Sequence, residues 1–449
     1  MTEENSKNKT KLREAAISVL KANDKGQHTV PSPGLYPHQW FWDSCFIAIG
    51  MAHYDIERAQ IEILSLLRAQ WANGMMPNII MHSNSVRGKT AYDRHSRIWR
   101  SYLNPNAPND ISTSGITQPP MLAEAIYQIG QKLTIKKRRE WYKSVYHSLV
   151  NYHLWIYQER DPHNEGLALQ IHPWEVGLDN TPPWMSELND HLLPWWIRFL
   201  NITHLDDVFG LVRSDNKLAL KNQRLTNTEA LALYDVQRRL RRKNYDFKKI
   251  IDHSLFAIED LTFNSILIRG NYLLREIANF LELRLPEELI RSMHKSVEEL
   301  NELWDEYSQE YFSRDFVSHR LIKVSSIACF MPLYSGAIKK DRAQRIIEAL
   351  DNEHRYKSIF PVPSVPMDSP WFQPERYWQG PTWINTNWLI IQGLKNYGFQ
   401  DYAKKLQLST IDLVANNGFH EYYDPITGQA IGIDNFSWTA ALIIDLLKN

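Results

Sequence analysis

Roughly a dozen helical stretches follow one another along this chain, and almost no run alternates apolar with polar residues as a half-buried strand must. That order restricts the fold to helix packed on helix. Residues 9–23 set Leu12, Ala15, Ala16, Val19 and Leu20 on one helical face. Helical spacing returns after Trp40 to about residue 53, then over 56–71, 121–130 and 137–159, and over 184–200 with Pro194 as a kink. It resumes over 263–283, 286–307, 325–335, 340–351, 384–397, 399–417 and 437–447. No short repeat runs through these stretches, which counts against a tetratricopeptide-like array. Helix pairs wound into a closed barrel, with the connecting loops gathered at one end, account for the order, and an open helical solenoid is the alternative. An all-α fold is expected, as one domain over 1–449 with a helical insertion or cap around 201–260. In that insertion Arg238-Arg239-Leu240-Arg241-Arg242-Lys243 reads as a solvated helix face, because 51 acidic residues balance 51 basic ones over the chain.

The loops between the helices carry the unusual residues. Trp174-Glu175-Val176-Gly177-Leu178-Asp179-Asn180-Thr181-Pro182-Pro183-Trp184 packs two acids and two indoles into one loop, and its prolines exclude a helix interior. A loop so aromatic suits the wall of a concave site. Asp179 has two readings. It is a general acid whose carboxyl the flanking Trp174 and Trp184 keep partly desolvated, or Asp179 or Asn180 caps the next helix. Glu175 is read as a supporting hydrogen-bond partner. Glu421, between His420 and Tyr422-Tyr423, is either a general base or a solvated residue beside the turn Asp424-Pro425-Ile426-Thr427-Gly428. Asp43, after Trp40-Phe41-Trp42, binds sugar hydroxyls, caps the following helix, or does both.

Other chemistries lack their residues. No histidine pair has metal spacing, and no glycine-rich phosphate loop or nucleophile elbow occurs. Cys45 and Cys329 are the only cysteines, so no disulfide framework exists and a reducing, cytoplasmic setting is expected. The start MTEENSKNKTKLREAA has no apolar signal core, and no stretch nears the ~20 apolar residues of a membrane span. The zero net charge argues against nucleic acid as a partner. Paired carboxylates in an aromatic cleft remain, and hydrolysis of a glycosidic bond is their natural use.

Several blocks together resemble glycoside hydrolase family 63. They are Trp40-Phe41-Trp42-Asp43-Ser44, Thr113-Ser114-Gly115-Ile116-Thr117-Gln118-Pro119-Pro120, Glu175-Val176-Gly177-Leu178-Asp179-Asn180, Tyr377-Trp378-Gln379-Gly380-Pro381-Thr382-Trp383, Glu421-Tyr422-Tyr423-Asp424-Pro425 and Phe436-Ser437-Trp438-Thr439-Ala440-Ala441. The resemblance covers roughly residues 36–442 and lies nearest the family's compact bacterial branch. It implies an (α/α)6 barrel and an inverting α-glycoside hydrolase, with Asp179 as general acid and Glu421 as general base. It implies that Tyr36, Trp40, Phe41, Trp42, Asp43, Gln118, Gly177, Tyr377 and Trp378 line the sugar site, joined by Tyr92, and that Arg213 holds a glycerate carboxylate. The expected substrate is a small anionic glycoside, glucosylglycerate first and mannosylglycerate second. No metal and no organic cofactor are expected, nor a nucleic-acid or membrane partner, while a homo-oligomer is compatible with the sequence. Residues 83–110 and 360–374 are the stretches expected to close over substrate. The alternatives are an α-glucosidase acting on neutral disaccharides, a non-catalytic carbohydrate-binding protein, and a sugar epimerase that would use His172 and His420.

Overall fold

Phe41–Met51 is buried at every position, and so is nearly all of Ser437–Lys448. A helix that is apolar all round has to be enclosed by others. The computed structural model describes residues 3–82, 98–187, 223–251, 254 and 256–448. Among these the chain is mostly helical. Twelve of the helices carry the architecture: α1 Glu3–Asn23, α2 Phe41–Met51, α3 Ile56–Arg68, α4 Leu122–Gln131, α5 Ile135–Arg160, α6 Leu261–Leu281, α7 Glu287–Glu302, α8 Pro332–Ser335, α9 Lys340–Leu350, α10 Ile384–Asn396, α11 Gln400–Asn417 and α12 Ser437–Lys448.

The even-numbered helices form a cycle of neighbours: α2 packs on α4, α4 on α6, α6 on α8, α8 on α10, α10 on α12, and α12 on α2. Five of the odd-numbered helices lie against this ring, α1 on α12, α3 on α2, α5 on α4 and α6, α7 on α6 and α11 on α10. The division follows composition. Helix α7, EELIRSMHKSVEELNE, buries Leu289, Ser292, Met293, Ser296 and Leu300 and leaves most of its charges outward. Where α2 crosses α12, a Cβ on Gly50 would meet the Ala441 backbone at 2.4 Å, so only glycine permits that approach. One cluster of buried apolar side chains runs from Ala16 to Leu446.

Several helix limits differ from the sequence reading. In α1, Ala16, Val19 and Leu20 are buried, but Ala15 is exposed. Pro182 and Pro183 open a short helix, Pro182–Glu187, since the first helical turn needs no proline N–H. The rest of the stretch expected to be helical to residue 200 lies outside the described residues. Residues 304–311 form a small hairpin after α7, pairing Trp304–Asp305 with Glu310–Tyr311. Residues 325–335 split into a 3-10 turn, Ile327–Phe330, and the single turn of α8, parted at Pro332. Of the insertion, Asn227–Arg242 and Phe247–Ile251 are helical. Its arginines behave as a solvated face, with Arg238 and Arg239 both paired to Asp235.

Three short antiparallel strands, Gln39–Trp40, Ile79–Met81 and Ser112–Thr113, join the loops that precede α2 and α4. A second ribbon pairs Tyr422–Tyr423 with Ala430–Ile431, and Thr382 bridges to Tyr423. These ribbons fix the loops in front of α2, α4, α10 and α12. No described helix is long and apolar enough to cross a membrane.

Candidate active site

Loops that precede inner helices converge on one cavity of about 240 Å³. Tyr36, Trp40, Trp42 and Asp43 enter from the start of α2, and Gln118 comes from the loop before α4. Trp174, Gly177 and Asp179 come from the loop after α5, Tyr377 and Trp378 from the loop before α10, and Glu421, Phe436 and Trp438 from the approach to α12. Clefts for drug-sized ligands start at about 300 Å³, so this volume suits a small molecule. A larger groove of about 880 Å³ lies outside the ring against α3 and α5. Its Asp55 caps α3 through the Arg58 N–H, and it lacks the enclosed carboxyls of the first cavity.

The acid loop is built from beneath. His172 caps the single turn Pro173–Val176 by accepting from the Trp174 N–H. Gly177 ends that turn at φ +78, in the left-handed region that favours glycine. Glu175 is fully buried and accepts from the Thr117 N–H at 3.2 Å, the Ile171 N–H at 2.8 Å and Arg160 at 2.8 Å. Its expected supporting role is therefore what the geometry gives it. Asn180 binds across rather than along the chain. Its side-chain oxygen accepts from the Trp378 N–H at 2.9 Å, and its carbonyl accepts from the Gln379 side chain at 2.9 Å. Asp179 thereby sits beside Tyr377, whose hydroxyl donates to it at 3.3 Å. Burial pushes the Asp179 carboxyl up to about 7, the nearby Glu421 adds to this, and Tyr377 and Arg224 hold it back.

Glu421 lies at the start of the Tyr422–Tyr423 ribbon and is buried. Arg224 grips both of its oxygens, through Nη2 on Oε2 and through Nη1 on Oε1 at 3.1 Å. The Tyr36 hydroxyl donates to Oε1 at 2.8 Å and accepts from Arg224 Nη1 at 2.8 Å. A Cβ on Gly432 would fall 2.7 Å from Glu421 Oε2, so that position has to stay bare. Each carboxyl thus has its own tyrosine hydroxyl, Tyr377 on Asp179 and Tyr36 on Glu421.

Asp43 lies inside the first turn of α2, and the helix N-cap, Trp40, makes no side-chain cap bond. Asp43 is therefore not a cap. Burial holds its carboxyl well above the ordinary range, with Glu421 and Asp179 adding to the effect. Trp378 stacks on Trp383 at 3.8 Å, and Trp438 stands edge-on to Trp42 at 5.5 Å. The indole N–H groups of Trp40 and Trp438 are buried without a hydrogen-bond partner. Aromatic walls with spare donors suit a ligand rich in hydroxyl acceptors.

Phe41 is a correction to the expected lining. Its ring is fully buried, edge-on to Tyr152 at 5.5 Å, because one helical step turns it away from Trp42. Trp184 likewise packs in the core, against Phe256, and does not wall Asp179. Tyr92 and Arg213 lie outside the described residues. Arg224 and Leu225 are not among the residues the sequence reading singled out; they come from the expected insertion, just ahead of its helix Asn227–Arg242. No histidine lines the described cavity. His172 is spent on its cap and on the Leu233 carbonyl, so an epimerase using His172 with His420 loses its residues. Among the described residues the cavity brings together carboxyls and one guanidinium, and shows no cluster of metal-ligand type.

Residues 36–439 match a family model described as "Mannosylglycerate hydrolase MGH1-like glycoside hydrolase domain". The chain is similar to a mannosylglycerate hydrolase of Thermus thermophilus, 36% identical over 96% of this chain and 99% of that protein. It is 29% identical to the glucosylglycerate hydrolase of Mycolicibacterium hassiacum, over 98% of each. Among solved structures, a GH63 mannosylglycerate hydrolase from a second strain of Thermus thermophilus, in complex with Tris and D-glycerate, superposes with a TM-score of 0.84. It is 35% identical, over 96% of this chain and 99% of that chain.

Proposed function

The chain belongs to glycoside hydrolase family 63, and from that premise we propose that it hydrolyses a hexosyl glycerate, glucosylglycerate or mannosylglycerate, with inversion at the anomeric carbon. The observation that carries this reading is the pair of unlike carboxyls in one small aromatic cavity. Asp179, pushed up to about 7 by burial, keeps a proton at neutral pH and would give it to the glycosidic oxygen as general acid. Glu421, gripped by Arg224, would take a proton from a water attacking the opposite face as general base. An inverting pair needs about 6.5–9.5 Å between its carboxyls to admit that water. Asp179 and Glu421 line the same cavity, and each is bound by a different tyrosine hydroxyl.

Trp40, Trp42, Asp43, Gln118, Gly177, Tyr377 and Trp378 would enclose the sugar, with Trp174, Phe436 and Trp438 completing the walls. Arg213 is assigned to the glycerate carboxylate, which a planar guanidinium can hold bidentately, and Tyr92 to the same end of the substrate. The cycle of six helices is read as the inner wall of an (α/α)6 barrel. The single core cluster supports one domain over 1–449, with the 201–260 segment as its cap. Two buried free cysteines suit a reducing, cytoplasmic compartment.

The test is a proton NMR time course with each hexosyl glycerate. The β-anomer of the free sugar is expected before mutarotation equilibrates it. First appearance of the α-anomer sinks the inverting assignment. No release from either substrate, with release from a neutral α-glucoside, replaces the substrate class and keeps the carboxyl pair.

A further inference from the structure

Away from the cavity, the loop that follows α5 and a tight hairpin at 314–321 bring two imidazoles and a carboxylate together. His163 Nδ1 lies 3.9 Å from Glu165 Oε1, and His319 Nε2 lies 3.8 Å from the same oxygen. The three candidate ligand atoms all fall within 4.8 Å of one another. These separations exceed hydrogen-bond length, so direct imidazole–carboxylate hydrogen bonds do not explain the cluster. None of the three residues lines the catalytic cavity.

We propose that His163, Glu165 and His319 form a binding site for a transition-metal dication that staples the loop after α5 to the 314–321 hairpin. Imidazole with one carboxylate is a donor set suited to zinc, nickel or copper rather than to magnesium or calcium. At metal–ligand bonds of 2.0–2.2 Å, the ligand atoms of a tetrahedral ion stand about 3.3 Å apart. Each atom here has to move by about 1 Å or less to reach that spacing. Both histidines are exposed and can move that far by small χ rotations.

The backbone under the ligands is held in place. Asp161 accepts from the Glu165 and Gly166 N–H groups at 2.8 and 2.7 Å. The His163 ring stacks on Phe316 at 4.8 Å, so one ligand already rests on the hairpin that carries another. The hairpin is closed by the Arg314–Leu321 bridge, and its turn is fixed by the Ser318 hydroxyl and N–H on Asp315 at 2.7 Å. Glu165 has its other oxygen on Arg314 Nη2 at 3.0 Å, an outer partner that orients a ligating carboxylate. Arg314 is shared with Glu259 and Glu299. Three carboxylates around one guanidinium leave an excess of negative charge that a dication would neutralise. Three protein ligands leave a fourth position for water.

The experiment is titration of the untagged full chain with Zn²⁺ and, separately, Mg²⁺ by calorimetry, with Co²⁺ absorption as a geometric readout. One Zn²⁺ per chain is expected, with no comparable Mg²⁺ binding. His163→Ala and His319→Ala should each weaken Zn²⁺ affinity at least tenfold. Zn²⁺ should raise the melting temperature of the wild-type chain and leave the H163A/H319A double variant unchanged. His319 is exposed, so metal-free His319→Ala should melt with the metal-free wild type, which separates lost ligation from lost folding, while His163→Ala also gives up its stack on Phe316. Absence of stoichiometric Zn²⁺ binding, or binding that the double variant retains, overturns the site. Binding without a rise in melting temperature overturns its role as a staple. None of these readouts depends on glycosidase activity.

Discussion

Arg224 and Glu421, 197 positions apart in sequence, meet as a buried two-pronged ion pair inside the cavity. Each oxygen of the carboxylate faces a guanidinium nitrogen, and Tyr36 completes the contact on Oε1. A carboxyl held on both oxygens in this way is fixed in its place.

Removing the guanidinium tests that relationship. With Arg224→Ala, Glu421 is left buried without its counter-charge and without the two donors that fix its oxygens, and kcat should fall by about 10²-fold or more. Arg224→Lys should recover part of that loss, since it restores a charge but not the two-pronged geometry. Wild-type kcat in the alanine variant would show that the ion pair does not hold Glu421 for the reaction.

The two carboxyls should respond to neutralisation with opposite signs. Asp179 is raised to about 7 in the folded chain from an ordinary value of 3.8. The stability that goes with its proton is complete below about 3.8 and is lost as pH rises through about 7. Asp179→Asn should therefore melt at or slightly above the wild type at pH 8, by about 1–3 °C, while kcat falls by about 10²–10⁴-fold. Glu421→Gln should also lose activity, but it strands Arg224 and should cost about 3–5 kcal/mol. Matched urea or thermal melts at pH 8 check both, and equal destabilisation of the two variants would contradict the assignment.

Activity that needs protonated Asp179 is full below about pH 7 and falls as pH rises through that value. The Tyr377 hydroxyl on Asp179 holds its carboxyl down against burial. Tyr377→Phe should consequently shift the alkaline limb of the pH–rate profile upward. A downward shift, measured on the same substrate, would mean that another group sets that limb.

Gly177 should tolerate no side chain. Its φ of +78 and a Cβ that would stand 3.0 Å from the Trp42 ring and from Pro119 both oppose Gly177→Ala. A loss of about 1–3 kcal/mol is expected from the backbone alone. KM should rise as well, because relief of the contact displaces Trp42 or the acid loop. Wild-type stability with wild-type KM would be the contrary result.

Much of the architecture was legible in the sequence because helix periodicity and loop composition are local. Apolar spacing located the inner and outer helices, and the loops rich in Trp, Gly, Pro and acids proved to be those that reach the cavity. The errors lie where local pattern and direction part. Phe41 belongs to an aromatic block, yet its neighbour Trp42 takes the cavity and Phe41 takes the core. Pro182-Pro183 read as a loop signal and instead began a helix. The amphipathic count over 286–307 takes in residues 304–307, where a hairpin interrupts the helix.

Chain order by itself determined that helices would pair, that two acid-bearing aromatic loops would exist, and that neither a thiol nor a phosphate-loop chemistry was available. These follow from composition and from spacing within a few residues. The tertiary structure decided which groups share a dielectric environment. Asp179 is raised by burial, Asp43 gives up a cap to become a buried acid, and Arg224 leaves a charge-rich segment to hold Glu421. Such pairings depend on through-space distances of about 3 Å between residues far apart in sequence. The free energy of an ion pair or a shifted proton is set by those distances and by the water excluded around them, and a linear sequence encodes neither directly.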